Sequence, residues 1–196
     1  MAEQGAASRG QVPGGRVPVR VPGRLRVHLG LGSNLGERWG ELQRAVTALR
    51  ALGEDVVVSP VYESAPVGGP EGQGAYLNAV VRLQLSGTPL EVLDVARSLE
   101  EAAGRTREVR WGPRTLDVDV LFIEAERVED GALAMVTVAT AELVVPHPRW
   151  SERAFVLAPL EDLSPALVEP GWRERLGAAA GADAVRRVGE LVAGGR

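Results

Sequence analysis

Residues 110–122 read RWGPRTLDVDVLF, and the second half of that stretch decides how the rest of the chain is read. Apolar and acidic residues alternate from Leu116 to Val120, the period of a β-strand with one buried face. Leu116, Val118 and Val120 then turn toward a core. Asp117 and Asp119 share the other face, with Cα atoms roughly 6.8 Å apart. Two carboxylates that close repel each other, and each is costly to desolvate. Such a strand needs positive charge beside it. Arg105, Arg107, Arg110 and Arg114 fall within ten positions, interleaved with Trp111. Carboxylates with a surplus of guanidinium groups describe a site for metal and polyphosphate together. Mg²⁺ takes one or two carboxylates plus phosphate oxygens and water. Two such ions about 3.5–4 Å apart would bridge the pair to a triphosphate. The plain alternative is a pair of solvated residues on an open sheet face.

Working outward, LRVHLGLG (25–32) predicts a strand and GERWGELQRAVTALRALG (36–53) an amphipathic helix closed by Gly53. DVVVSPVYES (55–64) is a second strand interrupted at Pro60. SAPVGGPEGQG (64–74) is a Gly/Pro loop long enough to suspect function, and YLNAVVRLQLS (76–86) is a third strand. TPLEVLDVARSLEEAAG (88–104) is a helix with Thr88 as N-cap, Pro89 at its first position and Gly104 beyond its end. The strand 116–124 is then the fourth. LAMVTVATAELVVP (133–146) reads as one or two more strands, and SERAFVLAPLEDL (151–163) as a helix. The order predicts an α+β fold: a ferredoxin-like β-α-β-β-α-β core with an antiparallel sheet, helices on one face, and extra C-terminal strands and helix. Residues 1–23 are expected to be a disordered extension, 24–175 the folded domain, and 176–196 a weakly ordered tail with a weak helix.

The chain has 196 residues, 45% of them hydrophobic and 24% charged, which is the composition of an ordinary soluble globular protein. A net charge of -4 argues against a general nucleic-acid binder. No run approaches the length of a membrane span. The sequence has no cysteine, which removes disulfides and thiolate metal sites and fits a cytoplasmic protein. All 22 basic residues are arginine. Without lysine there is no G-x-x-x-x-G-K-[ST] loop, no Schiff base and no lysine general base. Phosphate must be gripped by arginine forks, backbone N–H groups and metal.

GLGSNLGER (30–38) spaces its glycines one residue too far apart for a Rossmann turn. A tight strand-to-helix turn capped by Asn34 and a ligand-lining role are equally open. Tyr76 and Asn78 share one strand face and offer a stacking ring with a two-way amide, which suits a flat heterocycle; core packing is the alternative. His147, beside Arg149 and Arg153, suits a phosphate hydrogen bond better than metal ligation, since no second histidine sits at ligand spacing. His28 reads as a strand residue without a role, and Glu101 as a solvated helix end.

GLGSNLG, the YESAPVG loop, YLNAV, LEEAAGRTREVRWGPRTLDVDVLF and VPHPRWSERAFVLAPL follow one another between about 25 and 168. Together they resemble the 6-hydroxymethyl-7,8-dihydropterin pyrophosphokinase family of folate biosynthesis. The resemblance implies an ATP-dependent diphosphotransferase that moves pyrophosphate from ATP to the pterin's hydroxymethyl oxygen and leaves AMP. It implies two Mg²⁺ ions, no nucleic-acid or membrane partner, and a cytoplasmic monomer. Asp117 and Asp119 would hold the metal and be catalytic together with Arg105 and Arg114. Ser64, Ala65, Val67, Tyr76, Asn78, Trp111 and Phe155 would hold the pterin, and Glu100, Arg107, Arg110, His147 and Arg153 the ATP. Three places depart from the family pattern. Segment 126–141 is longer and more apolar, Pro148 stands where some members carry tyrosine, and Glu142 where some carry arginine. An RNA-binding ferredoxin-like module is the first rival reading; the acidic balance and the lack of an aromatic-basic sheet motif oppose it. A metal-dependent phosphohydrolase, the second, would use the same aspartates to activate water.

Overall fold

The structure, a computed structural model, describes residues 21–68, 70, 72–104, 112–177 and 185–192. The chain runs through β1 (Gly23–Ser33), α1 (Arg38–Leu52), β2 (Glu54–Val58), β3 (Val61–Ser64), β4 (Tyr76–Gly87), α2 (Pro89–Ala102) and β5 (Asp117–Glu126). This is the expected β-α-β-β-α-β order, with the second strand split at Ser59 and Pro60. Proline has no N–H to give to a ladder, so the strand breaks there, and both halves pair with β4. Segment 133–146 yields three short strands: β6 (Leu133–Met135), β7 (Val138–Ala139) and β8 (Val144–Val145). The main sheet follows the order β6-β5-β1-β4-β3-β9, where β9 is Arg186–Gly189. Every pairing in it is antiparallel.

The helix starts show where local signals suffice. Thr88 opens α2 with a full capping box: its Oγ1 accepts from the Glu91 N–H, and Glu91 Oε2 accepts from the Thr88 N–H at 2.7 Å. In contrast, α1 begins after Glu37 with no side-chain cap, so Asn34 is not its cap.

Alternating residues divide the sheet into two faces. Leu25, Val27, Leu29 and Leu31 of β1 and Leu77, Ala79, Val81 and Leu83 of β4 meet α1 (Leu42, Val46, Leu49) and α2 (Val92, Ala96, Leu99) in one core. The opposite face is covered by α3 (Ala154–Leu163) and α4 (Trp172–Leu176), which bury Tyr62, Val80, Leu121 and Phe122. The expectation of helices on one face therefore holds for α1 and α2 alone. In α3, Ala154 and the whole run from Val156 to Leu160 are buried, and a helix apolar all round is one enclosed on several sides.

The tail also departs from expectation. Arg186–Gly189 is not helical; it pairs with β3 as an antiparallel edge strand. An uncovered β3 would present a row of unpaired backbone groups, and β9 takes them up. Arg186 pairs with Glu63 at 2.9 Å, and Gln43 of α1 bonds both backbone groups of Val192. Residues 1–20, 178–184 and 193–196 lie outside the described residues. Among the described residues no helix is long and apolar enough to cross a membrane.

Candidate functional site

The face under α3 is sealed over only part of its area, and the rest forms the floor of a cavity. Ladder registers set that floor. Gly32 of β1 lies between Asn78 of β4 and Asp117 of β5, and Gly30 lies between Val80 and Asp119. A Cβ placed on Gly32 would stand 3.6 Å from Asn78 Oδ1, 3.7 Å from Tyr76 Cδ1 and 3.9 Å from Asp117 Cβ. The missing side chain is what leaves room there. The cavity holds about 540 Å³, within the range of small-molecule sites. Of the two readings of GLGSNLGER, the lining role is the one observed, for Gly30, Leu31 and Gly32.

A β-bulge shapes one end of this floor. His28 pairs with Phe122 and Leu29 with Val120, so Leu121 is an extra residue on β5. Leu121 and Phe122 consequently both pack with α3 and do not line the cavity. A Cβ on Gly30 would press on Leu121 at 3.4 Å. The Leu121 carbonyl accepts the His147 N–H at 2.9 Å, and this brings His147 Nε2 within 3.9 Å of Asp119 Oδ2.

The positive charge that the carboxylate pair requires is supplied by arginine. Arg114 forms an ion pair with Asp117, and Arg153 Nη1 donates to Asp119 Oδ2 at 3.0 Å. The Arg153 guanidinium also lies 5.7 Å from the centre of the Phe155 ring, a cation–π contact. Burial holds the His147 pKa below the ordinary histidine range; Asp119 opposes that shift, and Arg153 and Arg149 add to it. His147 Nδ1 accepts the Arg149 N–H at 3.1 Å. The neutral ring therefore carries its proton on Nε2, on the side of Asp119.

The opposite wall is neutral. Buried Asn78 donates from Nδ2 to Ser64 Oγ at 3.0 Å and to the Tyr62 carbonyl at 3.4 Å. These bonds set which way the amide points. Ser64, Ala65, Val67, Tyr76 and Phe155 line the same cavity. Sequence reasoning assigned no role to Arg149, which also lines it; its position two residues after His147 was the available signal.

Some expected site residues stand elsewhere. Glu100 does not line the cavity. It is buried in α2, where its Oε1 accepts the Val118 N–H at 2.9 Å, on the edge of β5 that β6 leaves uncovered there. Glu142 lies 3.7 Å from Arg97 of α2. Arg105, Arg107, Arg110 and Trp111 lie outside the described residues. Among the described residues no group of three or more His, Cys, Asp or Glu gathers to cage a metal. Two carboxylates facing one cavity instead fit a hard cation that completes its shell with water and ligand oxygens, as Mg²⁺ does.

The comparisons with known proteins agree with this geometry. Residues 28–165 match the family model of 7,8-dihydro-6-hydroxymethylpterin-pyrophosphokinase (HPPK). The chain is 44% identical over 138 residues to the 2-amino-4-hydroxy-6-hydroxymethyldihydropteridine pyrophosphokinase of Bacillus subtilis, covering 69% of this chain and 76% of that one. The enzyme of the same name from Pseudomonas aeruginosa is 41% identical over 150 residues, covering 76% and 86%. Among solved structures, an HPPK-DHPS protein in complex with substrates has a TM-score of 0.54 at 12% identity, over 81% of this chain and 44% of that one. A Plasmodium falciparum HPPK-DHPS variant with SDX-DHP has a TM-score of 0.51 at 14% identity, over 72% and 42%. At those identities the likeness concerns the fold, and the chain spans less than half of either protein. The match over residues 28–165, together with the two bacterial relatives, places the chain in the 7,8-dihydro-6-hydroxymethylpterin-pyrophosphokinase family.

Proposed function

We infer that the cavity is the active centre of a pyrophosphokinase: the chain transfers a pyrophosphoryl group from ATP to 6-hydroxymethyl-7,8-dihydropterin, a step of folate biosynthesis. The observation that carries the reading is the joining of a carboxylate–arginine wall and a ring-and-amide wall in one cavity. The bond that forms joins the hydroxymethyl oxygen to the β-phosphorus, and the bond that breaks joins that phosphorus to the α-phosphate oxygen. AMP leaves, and the hydroxyl proton is released.

Asp117 and Asp119 would hold two Mg²⁺ ions. Bound there, such ions would supply positive charge for the triphosphate and for the charge that develops during transfer. Arg114 and Arg153, which pair with these carboxylates, would also offer guanidinium donors to phosphate oxygens. His147 donates from Nε2 on the same side, and Arg149 adds a cation at the rim. By the family resemblance Arg105, Arg107 and Arg110 would serve the phosphates, Arg105 with Arg114 on the transferring group. Glu100 serves the nucleotide side through the strand edge that it holds. Asn78 reads the pterin's polar edge, with Ser64, Ala65 and Val67 beside it. Tyr76 and Phe155 enclose the ring, and by the family resemblance Trp111 would be the third aromatic residue of the pterin site. The chain is read as a monomer from its family resemblance, and the cysteine-free sequence suits the cytoplasm.

The test is product analysis with ATP, the hydroxymethyl-dihydropterin and Mg²⁺. AMP and the pterin pyrophosphate are expected, and chelation should stop the reaction. ADP or inorganic phosphate as the nucleotide-derived product would replace this reading with a kinase or a phosphohydrolase.

A further inference from the structure

We propose that Asn34 is a positioning residue that couples the two substrate-binding segments, holding the pterin-side loop and the phosphate-side Arg114 in one frame. The proposal rests on the functional reading above. Asn34 is buried just past the end of β1, yet it neither caps α1 nor lines the cavity. Its amide works in two directions. Nδ2 donates to Gln73 Oε1 at 3.2 Å and to the Gly74 carbonyl at 3.4 Å. Oδ1 accepts the Arg114 N–H at 2.7 Å, and the Asn34 N–H donates to the Arg114 carbonyl at 3.1 Å. Arg114 is thus held at both of its backbone groups by one residue.

Each arm ends on a segment that carries substrate contacts. Gln73 passes the restraint along its loop, donating from Nε2 to the Gly68 and Pro70 carbonyls at 3.4 and 3.2 Å. Arg38 ties the same loop at its two ends, to the Ala75 carbonyl at 2.6 Å and to Glu63 at 3.4 Å. The loop joins Ser64 to Tyr76, so its course decides where Ala65 and Val67 stand on the cavity wall. On the other side, the Arg114 guanidinium meets Asp117, and a shift of its backbone would move that charge. An amide offers a donor and an acceptor on one short side chain; a carboxylate keeps only acceptors and an alanine neither. The two arms can therefore be removed separately.

The experiment compares Asn34→Ala, Asn34→Asp and Gln73→Ala with the unaltered protein. The pterin and the α,β-methylene analogue of ATP are titrated separately, and hydrogen exchange is followed over 72–76 and 113–116. If the unaltered protein makes no AMP, the functional reading fails, while the exchange data still test the coupling. Asn34→Ala should weaken both ligands about fivefold or more, the scale of one lost buried hydrogen bond, and should speed exchange in both segments. Asn34→Asp should recover nucleotide affinity and slow exchange at 113–116, leaving the pterin loss in place. Gln73→Ala, on the surface of the loop, should weaken the pterin alone and speed exchange at 72–76 alone. Three results would each overturn the proposal: Asn34→Ala affecting one segment only, Asn34→Asp restoring both ligands equally, or Gln73→Ala weakening both ligands equally.

Discussion

One face of the sheet is used in two ways. Under α3, His28, Leu121 and Phe122 are sealed. A few residues along the same strands, Gly32, Asn78, Asp117 and Asp119 line or border an open cavity. In the sealed half a titratable group is kept neutral: burial lowers the His28 pKa to about 4, with Arg82 and Arg26 adding to the shift. In the open half two carboxylates stay beside arginines, partly in reach of water. The strands do not differ between the halves; the cover does. Where α3 ends and the Leu121 bulge turns an extra apolar residue inward, the face changes from packing to chemistry.

Substitutions can break the two halves independently. The largest effects are expected in opposite currencies. Asp117→Ala and Asp119→Ala should each lower kcat by about 100-fold or more, because metal-supplied charge stabilisation amounts to several kcal/mol. Their melting temperatures should stay near that of the unaltered protein, since partly exposed ion pairs contribute little. Leu157→Ala, in the sealed half, should cost about 2–5 kcal/mol of stability, with kcat at low temperature nearly unchanged. Denaturant melts and steady-state rates on the three variants decide the matter; a stable, active aspartate variant would contradict the division.

A smaller effect is expected at Gly32. Gly32→Val suits an extended strand position but fills the space between Asn78, Tyr76 and Asp117. It should weaken pterin binding about tenfold or more, consistent with lost ring and amide contacts, while the fold survives. Unchanged pterin affinity would show that the ring sits elsewhere.

The halves also separate by pH. A histidine whose folded pKa lies below its unfolded value contributes full stability above about pH 6.5, and that contribution disappears as pH falls toward the folded pKa. For His28, with a folded pKa of about 4, the loss on acidification should reach roughly 3 kcal/mol. His28→Leu should flatten that part of the stability curve between pH 6.5 and 4. A slope unaltered by the substitution would assign the acid sensitivity to other groups.

What could be read in advance follows the range of the forces involved. The alternation in LDVDV placed the carboxylates and the core correctly because strand periodicity is local. The Thr88 cap of α2 and the break at Pro60 were legible for the same reason. The Leu121 bulge was not, since LFI is apolar on either face and only the partner strand shows the slipped register. Arg186–Gly189 carries little strand signal; it becomes a strand because the edge of β3 needs cover. A cap at Asn34 was one of two open readings, and neither reached its partners, Gly74 and Arg114, which are 40 and 80 positions away. Glu100 was assigned to the nucleotide by resemblance; its bond to the Val118 N–H, 18 positions away, had no local signal.

The central claim is that the carboxylate pair on the open half of the face organises metal and triphosphate. The most direct measurement is Mn²⁺ binding in the presence of the α,β-methylene analogue of ATP, followed by paramagnetic resonance on the unaltered protein, Asp117→Asn and Asp119→Asn. The unaltered protein should bind two ions per chain with the nucleotide, and each variant should lose at least one while still folding. Full metal occupancy in both variants would contradict the account.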